Sequence, residues 1–177
     1  MKNYKVGIIG ATGMVGQRFA TLLENHPWFT VTALAASKRS AGKTYKECVE
    51  SRWAMTTPIP KEMEDMIILD AANVEEVASK VDFVFCAVDM PKDQIRELEE
   101  AYAKAECPVV SNNSAHRHTP DVPMVIPEIN ADHIKIIDSQ RKRLGTKKGF
   151  VAVKSNCSLQ SYVPAVHPLR ELGCNKV

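Results

Sequence analysis

The chain has 177 residues, 23 Lys+Arg against 21 Asp+Glu, a formal net charge of +2, 45% hydrophobic and 25% charged residues. That balance supports a globular core and leaves no electrostatic footprint for nucleic acid. No run approaches the ~20 consecutive apolar residues of a membrane span, and the opening MKNYKVGIIG lacks the features of a secretion signal. A cytoplasmic protein with no nucleic-acid or membrane partner is expected, of about one domain and a remainder.

Hydrophobic periodicity sets the elements. KVGII (Lys5–Ile9) is a short strand that begins almost at residue 1. Gly13 to about Asn25 is a helix with Val15, Phe19, Leu22 and Leu23 near one face. FTVTALAA (Phe29–Ala36) is a second strand. Pro58 and Pro60 break Glu47–Met66, where loop and short strands are expected. Asn73–Lys80 is a short helix. VDFVFCAV (Val81–Val88) is a third strand, apolar enough to be buried on both faces. Lys92 to about Lys104 is an amphipathic helix with Ile95, Leu98 and Tyr102 at helical spacing, followed by the strand PVVSN (Pro108–Asn112). Asn130–Leu144 holds one or two helical turns, and RKRLGTKKG (Arg141–Gly149) is a basic loop. FVAVKSN (Phe150–Asn156) is a strand. A helix from about Ser158 to Leu172 ends at Gly173. Strands alternating with helices imply βαβ units, right-handed crossovers and a mostly parallel sheet covered on both faces. Residues 173–177 look like a helix exit and the start of another strand, so the chain is expected to be incomplete.

The five cysteines (Cys48, Cys86, Cys107, Cys157, Cys174) are odd in number and widely spaced, with no CxxC pair and no zinc-type Cys/His cluster. Free thiols and no metal site are expected. Cys86 belongs to a buried strand.

Gly10, Gly13 and Gly16 in GATGMVG follow the first strand and open the first helix, a GxxGxxG variant of the dinucleotide-binding fingerprint. Glycine permits a tight turn and close backbone approach to a pyrophosphate, and the helix start supplies free N–H groups and a favourable dipole. A tight turn with no ligand is the simpler alternative. An acidic residue after the second strand would select NAD through the ribose 2′-hydroxyl. This sequence has Ser37-Lys38-Arg39-Ser40 there, hydroxyls and positive charge that suit a 2′-phosphate, so NADP is favoured. The fold class is therefore α/β, Rossmann-type and doubly wound.

Cys157, in SNCS, follows a strand and starts the last helix. That position favours the thiolate through the helix dipole, and its free N–H groups can stabilise an oxyanion on a carbon attacked by the sulfur. A thiolate beside a nicotinamide suits aldehyde oxidation: thiohemiacetal, hydride to NADP, then thioester. An inert cysteine near a helix cap fits the spacing equally well.

The motifs GATGMVGQRF (Gly10–Phe19), SKRSAGK (Ser37–Lys43), SNNSAHR (Ser111–Arg117), DVPMVIPEIN (Asp121–Asn130) and SNCSLQ (Ser155–Gln160) occur in order over nearly the whole chain. In them the chain resembles the N-terminal part of aspartate-semialdehyde dehydrogenases of the archaeal and fungal branch. The resemblance implies NADP- and phosphate-dependent interconversion of L-aspartate 4-semialdehyde and 4-aspartyl phosphate, a step toward lysine, threonine and methionine. It implies Cys157 as nucleophile and Arg117 as the phosphate or acyl-phosphate clamp. Asn113 and Asn156 stand beside them, with Asn112 and Ser114 as less definite neighbours. It implies Gly10, Thr12, Gly13, Met14, Val15, Ser37, Lys38, Arg39, Ser40 and Ala87 as cofactor contacts. Residues 1–156 would form the NADP domain, and 157–177 the nucleophile helix and the start of an α+β catalytic and dimerisation domain. The catalytic histidine, the carboxylate-gripping arginine and most of a dimer or tetramer interface would lie in that second domain. His116, His118 and His167 are thus not taken as the base, and His26 is taken as structural. Alternatives on the same scaffold are malonyl-CoA reductase and N-acetyl-glutamyl-phosphate reductase; alternatives of another class are a non-catalytic NADP-binding or sensor module and a folding fragment that binds nothing.

Overall fold

The computed structural model describes residues 3–174 and 176; residues 1, 2, 175 and 177, on which part of the expected first and last strand starts fall, lie outside them. Seven strands form one sheet: β1 (Tyr4–Ile9), β2 (Phe29–Ala36), β3 (Leu69–Asp70), β4 (Phe83–Cys86), β5 (Val109–Ser111), β6 (Met124–Val125) and β7 (Val151–Lys154). Their order is β3-β2-β1-β4-β5-β7-β6 and every pairing is parallel. The chain runs outward one way from β1 to β3, then returns to start again at β4. The crevice between the C-terminal ends of β1 and β4 is therefore the switch point where open parallel sheets bind ligands.

Period-2 alternation splits β2 between two cores. Ala33 and Ala35 pack with Ile9, Val84, Cys86, Tyr102, Val109, Val151 and Val153 on one face. Leu34 and Ala36 pack with Val6, Ile8, Ala20, Leu23, Tyr45 and Val49 on the other. The first face is covered by α4 (Val74–Ala78) and α5 (Lys92–Lys104), the second by α1 (Met14–Leu23), α2 (Tyr45–Val49) and α3 (Lys61–Glu64). The chain continues through α6 (Pro127–Asn130), α7 (Ile137–Leu144) and α8 (Cys157–Val166).

Several elements differ from expectation for identifiable reasons. The segment expected as loop and short strands is loop over 53–60 but helical on either side of it, with no strand. Thr44 caps α2 through a reciprocal bond pair with Glu47, and Pro60 precedes α3. β3 and β6 are two-residue strands, too short to show a period. The basic stretch from Arg141 begins as the last turn of α7, which Gly145 ends with φ +74°. Pro164 and Pro168 lie in the last helical region, and α8 gives way to a 3-10 helix at His167–Leu172. The inward face of α1 is Gly16, Gln17, Ala20 and Leu23, while Val15 and Leu22 are exposed.

That last difference reflects close approach. A Cβ at Gly16 would overlap the Gly10 carbonyl and the Ala11 backbone. Propensity alone makes alanine better than glycine inside a helix by about 1 kcal/mol. Overlap with backbone outweighs this, so Gly16→Ala is expected to destabilise by about 1–3 kcal/mol in urea unfolding.

Candidate active site

Because all strands run in parallel, the residues following Ile9, Ala36, Cys86, Ser111 and Lys154 share one edge of the sheet. The loop after β1 is held there from three sides. The Gly10 and Ala11 amides both donate to the Ala35 carbonyl (2.8 and 3.1 Å), and Ala87 N–H donates to Ile9. Gly10 adopts φ +84°, and a Cβ there would overlap the Ala87 carbonyl, so only glycine fits. From below, the buried Tyr45 hydroxyl donates to the Ala11 carbonyl (3.2 Å). Buried Gln17 donates to the Thr12 and Arg52 carbonyls and accepts from Ala54 N–H. Gly13 caps α1 in extended conformation, and no side chain caps the first turn, which contains no acidic residue. The start of α1, with Met14 and Val15 exposed, thus offers backbone N–H groups to an anion.

A cleft of about 780 Å³ opens over this edge, within the roughly 300–1,000 Å³ of small-molecule sites. Gly10, Thr12, Gly13, Ser37, Lys38, Arg39 and Ala87 line it. Ser40 lies beneath, buried, with its N–H on the Ser37 carbonyl (2.8 Å), and shapes the turn. Lys38 and Arg39 are exposed, and neither makes a side-chain hydrogen bond or ion pair among the described residues, so both charges are available to a ligand. Arg52 adds a third cation that sequence reasoning missed; its Nε–H is anchored on the Cys48 carbonyl (2.9 Å). Asp70 also lines the cleft, with Oδ1 taken by Ala72 N–H. Neither Arg52 nor Asp70 sits in a motif. Only the folded chain brings them to the cleft.

Further along the same edge, Asn156 caps α8, its Oδ1 accepting from Ser158 N–H (2.8 Å), and Cys157 is the first helical residue, exposed. Arg117 donates from Nε to the Lys154 carbonyl (3.2 Å) and from Nη2 to Asn112 (3.4 Å), tying the loop after β5 to the end of β7. Asn113 points inward: its Nδ2 donates to Glu99 (3.0 Å) and to Cys86 Sγ (3.5 Å). Arg117, Asn156 and Cys157 thus gather at the end of β7, while Asn113 supports their loop from beneath.

Cys86 and Cys107 are packed in the core, and His26 packs on an aromatic neighbour. His26 accepts from Trp28 N–H and stacks on Phe29 at 4.5 Å. His167 follows Cys157 by ten residues, about 15 Å along a helix. Burial pushes the His116 imidazole below its ordinary value against the pull of Glu99 and Glu100. Burial raises the Cys86 thiol, with Glu99 adding to it, and pushes Cys107 up to about 12. The described residues hold no cluster of three or more potential metal ligands, and no helix among them is long and apolar enough to cross a membrane.

The fold and its edge define a dinucleotide-binding α/β domain. A family model for "Semialdehyde dehydrogenase, NAD binding domain" matches residues 5–137, and the chain belongs to that family. It is 42% identical to an aspartate-semialdehyde dehydrogenase of Archaeoglobus fulgidus over 98% of this chain and 48% of that protein. It is 40% identical to one of Schizosaccharomyces pombe over 94% of this chain and 45% of that protein. A crystal structure of aspartate semialdehyde dehydrogenase with NADP from Candida albicans superposes with TM-score 0.84 at 38% identity, covering 97% of this chain and 48% of that one. The chain spans about half the length of the curated relatives it matches.

Thiol alkylation checks the placement of the cysteines. Cys157 is expected to label with iodoacetamide faster than half-buried Cys48. Cys86 and Cys107 should label only on unfolding, as followed by peptide mass spectrometry.

Proposed function

We propose that this chain is the cofactor-binding, nucleophile-bearing part of an NADP-dependent aspartate-semialdehyde dehydrogenase. The reaction is the phosphate-dependent interconversion of L-aspartate 4-semialdehyde and 4-aspartyl phosphate, within aspartate-family amino-acid biosynthesis. The observation that carries this reading is that one sheet edge presents both an uncapped glycine-loop helix start beside unpaired cations and an exposed cysteine at a second helix start. The crystal relative with NADP and the curated relatives support it.

The cleft fits the cofactor. Gly10, Thr12 and Gly13 leave backbone open to a pyrophosphate, and the N–H groups of Met14 and Val15 lie at the positive end of α1. Ser37, Lys38, Arg39 and Arg52 supply hydroxyl and positive charge for a 2′-phosphate, and the turn that Ser40 shapes holds them up to it. Ala87 floors the cleft beside Gly10. NADP, when bound, supplies a hydride acceptor in one direction and NADPH a donor in the other.

The chain's residues do the rest. Cys157 Sγ attacks the aldehyde carbon, and α8 N–H groups face the oxygen on which charge develops. After oxidation the acyl group is held on sulfur as a thioester. Arg117, with its guanidinium fork fixed by Lys154, holds phosphate for attack on that thioester, which releases the thiolate and 4-aspartyl phosphate. Asn156 keeps the start of α8 in register with the substrate. On this reading residues 1–156 are the cofactor domain, 157–177 open the catalytic and dimerisation domain, and the full-length protein is a homo-oligomer.

Calorimetric titration with NADP and NAD tests it. NADP is expected to bind more tightly. Replacing both Lys38 and Arg39 by alanine should cost NADP about tenfold to a hundredfold, the worth of one to two charge-assisted contacts, and leave NAD unchanged. Equal affinity for the two dinucleotides would contradict the assignment of the Ser37–Ser40 turn.

A further inference from the structure

Beneath the proposed phosphate clamp lies a polar cluster that no step above uses. Glu99 points from α5 into the protein and is 1% exposed; His116, in the loop after β5, is also 1% exposed. One carboxyl oxygen of Glu99, Oε1, accepts from Ser111 Oγ and from Asn113 Nδ2. The other, Oε2, faces His116 Nε2 at 3.9 Å, and neither atom has a hydrogen-bond partner among the described residues. His116 Nδ1 lies 3.1 Å from Thr119 Oγ1. Arg96, one turn before Glu99, donates from Nε to the Ala115 carbonyl (2.9 Å). Helix α5 therefore grips the loop Ser111–Arg117 at Ser111, Asn113, Ala115 and His116. The last residue of that loop is Arg117, whose Nε–H reaches the Lys154 carbonyl three residues before Cys157.

Burying the Glu99 carboxyl carries a cost that its bonds from Ser111 and Asn113 offset, so the bonded arrangement is held over its alternatives. We propose that Glu99 and His116 are positioning residues, a buried polar couple that locks the loop Ser111–Arg117 in the pose that holds the Arg117 guanidinium against the end of β7. The Thr119 hydroxyl, 3.1 Å from Nδ1 of His116, holds the imidazole with Nε2 facing Glu99 Oε2. Glu99 in turn fixes Asn113 and Ser111 at the start of the loop. Neither Glu99 nor His116 lines the cleft, and Arg117, at the end of the loop they hold, is the residue through which they act on the anion site. The service to phosphate rests on the function proposed above; the positioning of Arg117 does not.

The test is the exchange rate of the Arg117 Nε–H with solvent, read by nitrogen-15 NMR on the 177-residue chain and assigned by its loss in Arg117→Lys. Glu99→Leu keeps an apolar side chain in the core and removes every hydrogen bond; exchange should speed at least tenfold, with NADP affinity within twofold of the parent. Glu99→Gln keeps the acceptor for Ser111 and Asn113 and should restore exchange to within threefold of the parent, a rescue that loss of packing would not produce. Should Glu99→Leu fail to fold, Thr119→Val decides. It removes the hydroxyl that holds the His116 ring and should speed exchange severalfold in a folded chain. A folded Glu99→Leu or Thr119→Val chain with parental exchange, or Glu99→Gln behaving as Glu99→Leu, overturns the proposal. Absence of NADP binding to the parent chain would instead remove the functional reading and leave the Arg117 result standing.

Discussion

Everything at the working edge of this protein depends on the contact between Gly10 and Ala87. β1 and β4 are neighbours in the sheet, and the chain leaving β1 must pass over the end of β4 with no room for a side chain. A positive φ at Gly10 turns the chain there, and Gly16 lets α1 settle on the loop it has just left. Backbone amides are thereby presented to the crevice instead of side chains. Tyr45 and Gln17, buried beneath, bond the loop carbonyls and keep the turn from relaxing. A dinucleotide cleft is thus a consequence of packing two parallel strands and a helix too closely for anything but glycine.

The second half of the site follows from the same geometry. Parallel pairing sends β5 and β7 to the edge already occupied by the glycine loop. Asn156 caps α8 just past β7, and Cys157 becomes the first helical residue. Arg117 bridges the two strand ends, and its loop is anchored from α5 by Glu99, His116 and Arg96. One helix packed on a face of the sheet therefore organises the loop that carries Arg117 at the strand ends.

The parts of this that were legible in the sequence are those with strong local signals. FTVTALAA was bounded correctly because its last four residues are apolar on both faces of β2, and Lys92–Lys104 because Ile95, Leu98 and Tyr102 keep helical spacing over about two turns. The glycine loop stood out because its backbone requirement leaves a residue-type signature. β3 and β6 did not, since two residues carry no period. The helix α2 went unread because its signal is a capping box of two residues, Thr44 and Glu47, on a five-residue helix. On α1 the expected Phe19 and Leu23 do pack inward, while Gly16 and Ala20 were missed because glycine and alanine carry little hydrophobic signal, yet they are what close packing selects. Arg52, Asp70, Glu99 and Gln17 owe their positions to contacts distant in sequence, which no pattern in one chain displays.

The central claim is that the glycine-loop cleft and Cys157 serve one reaction. Its most direct test is the rate of Cys157 alkylation by iodoacetamide with and without saturating NADP, with Cys174 as the internal reference. If a cofactor seated on the glycine loop extends along the sheet edge to the start of α8, NADP slows Cys157 severalfold and leaves Cys174 unchanged. If NADP binds with full occupancy and Cys157 reacts at its free rate, the two halves of the edge are independent and the account is wrong.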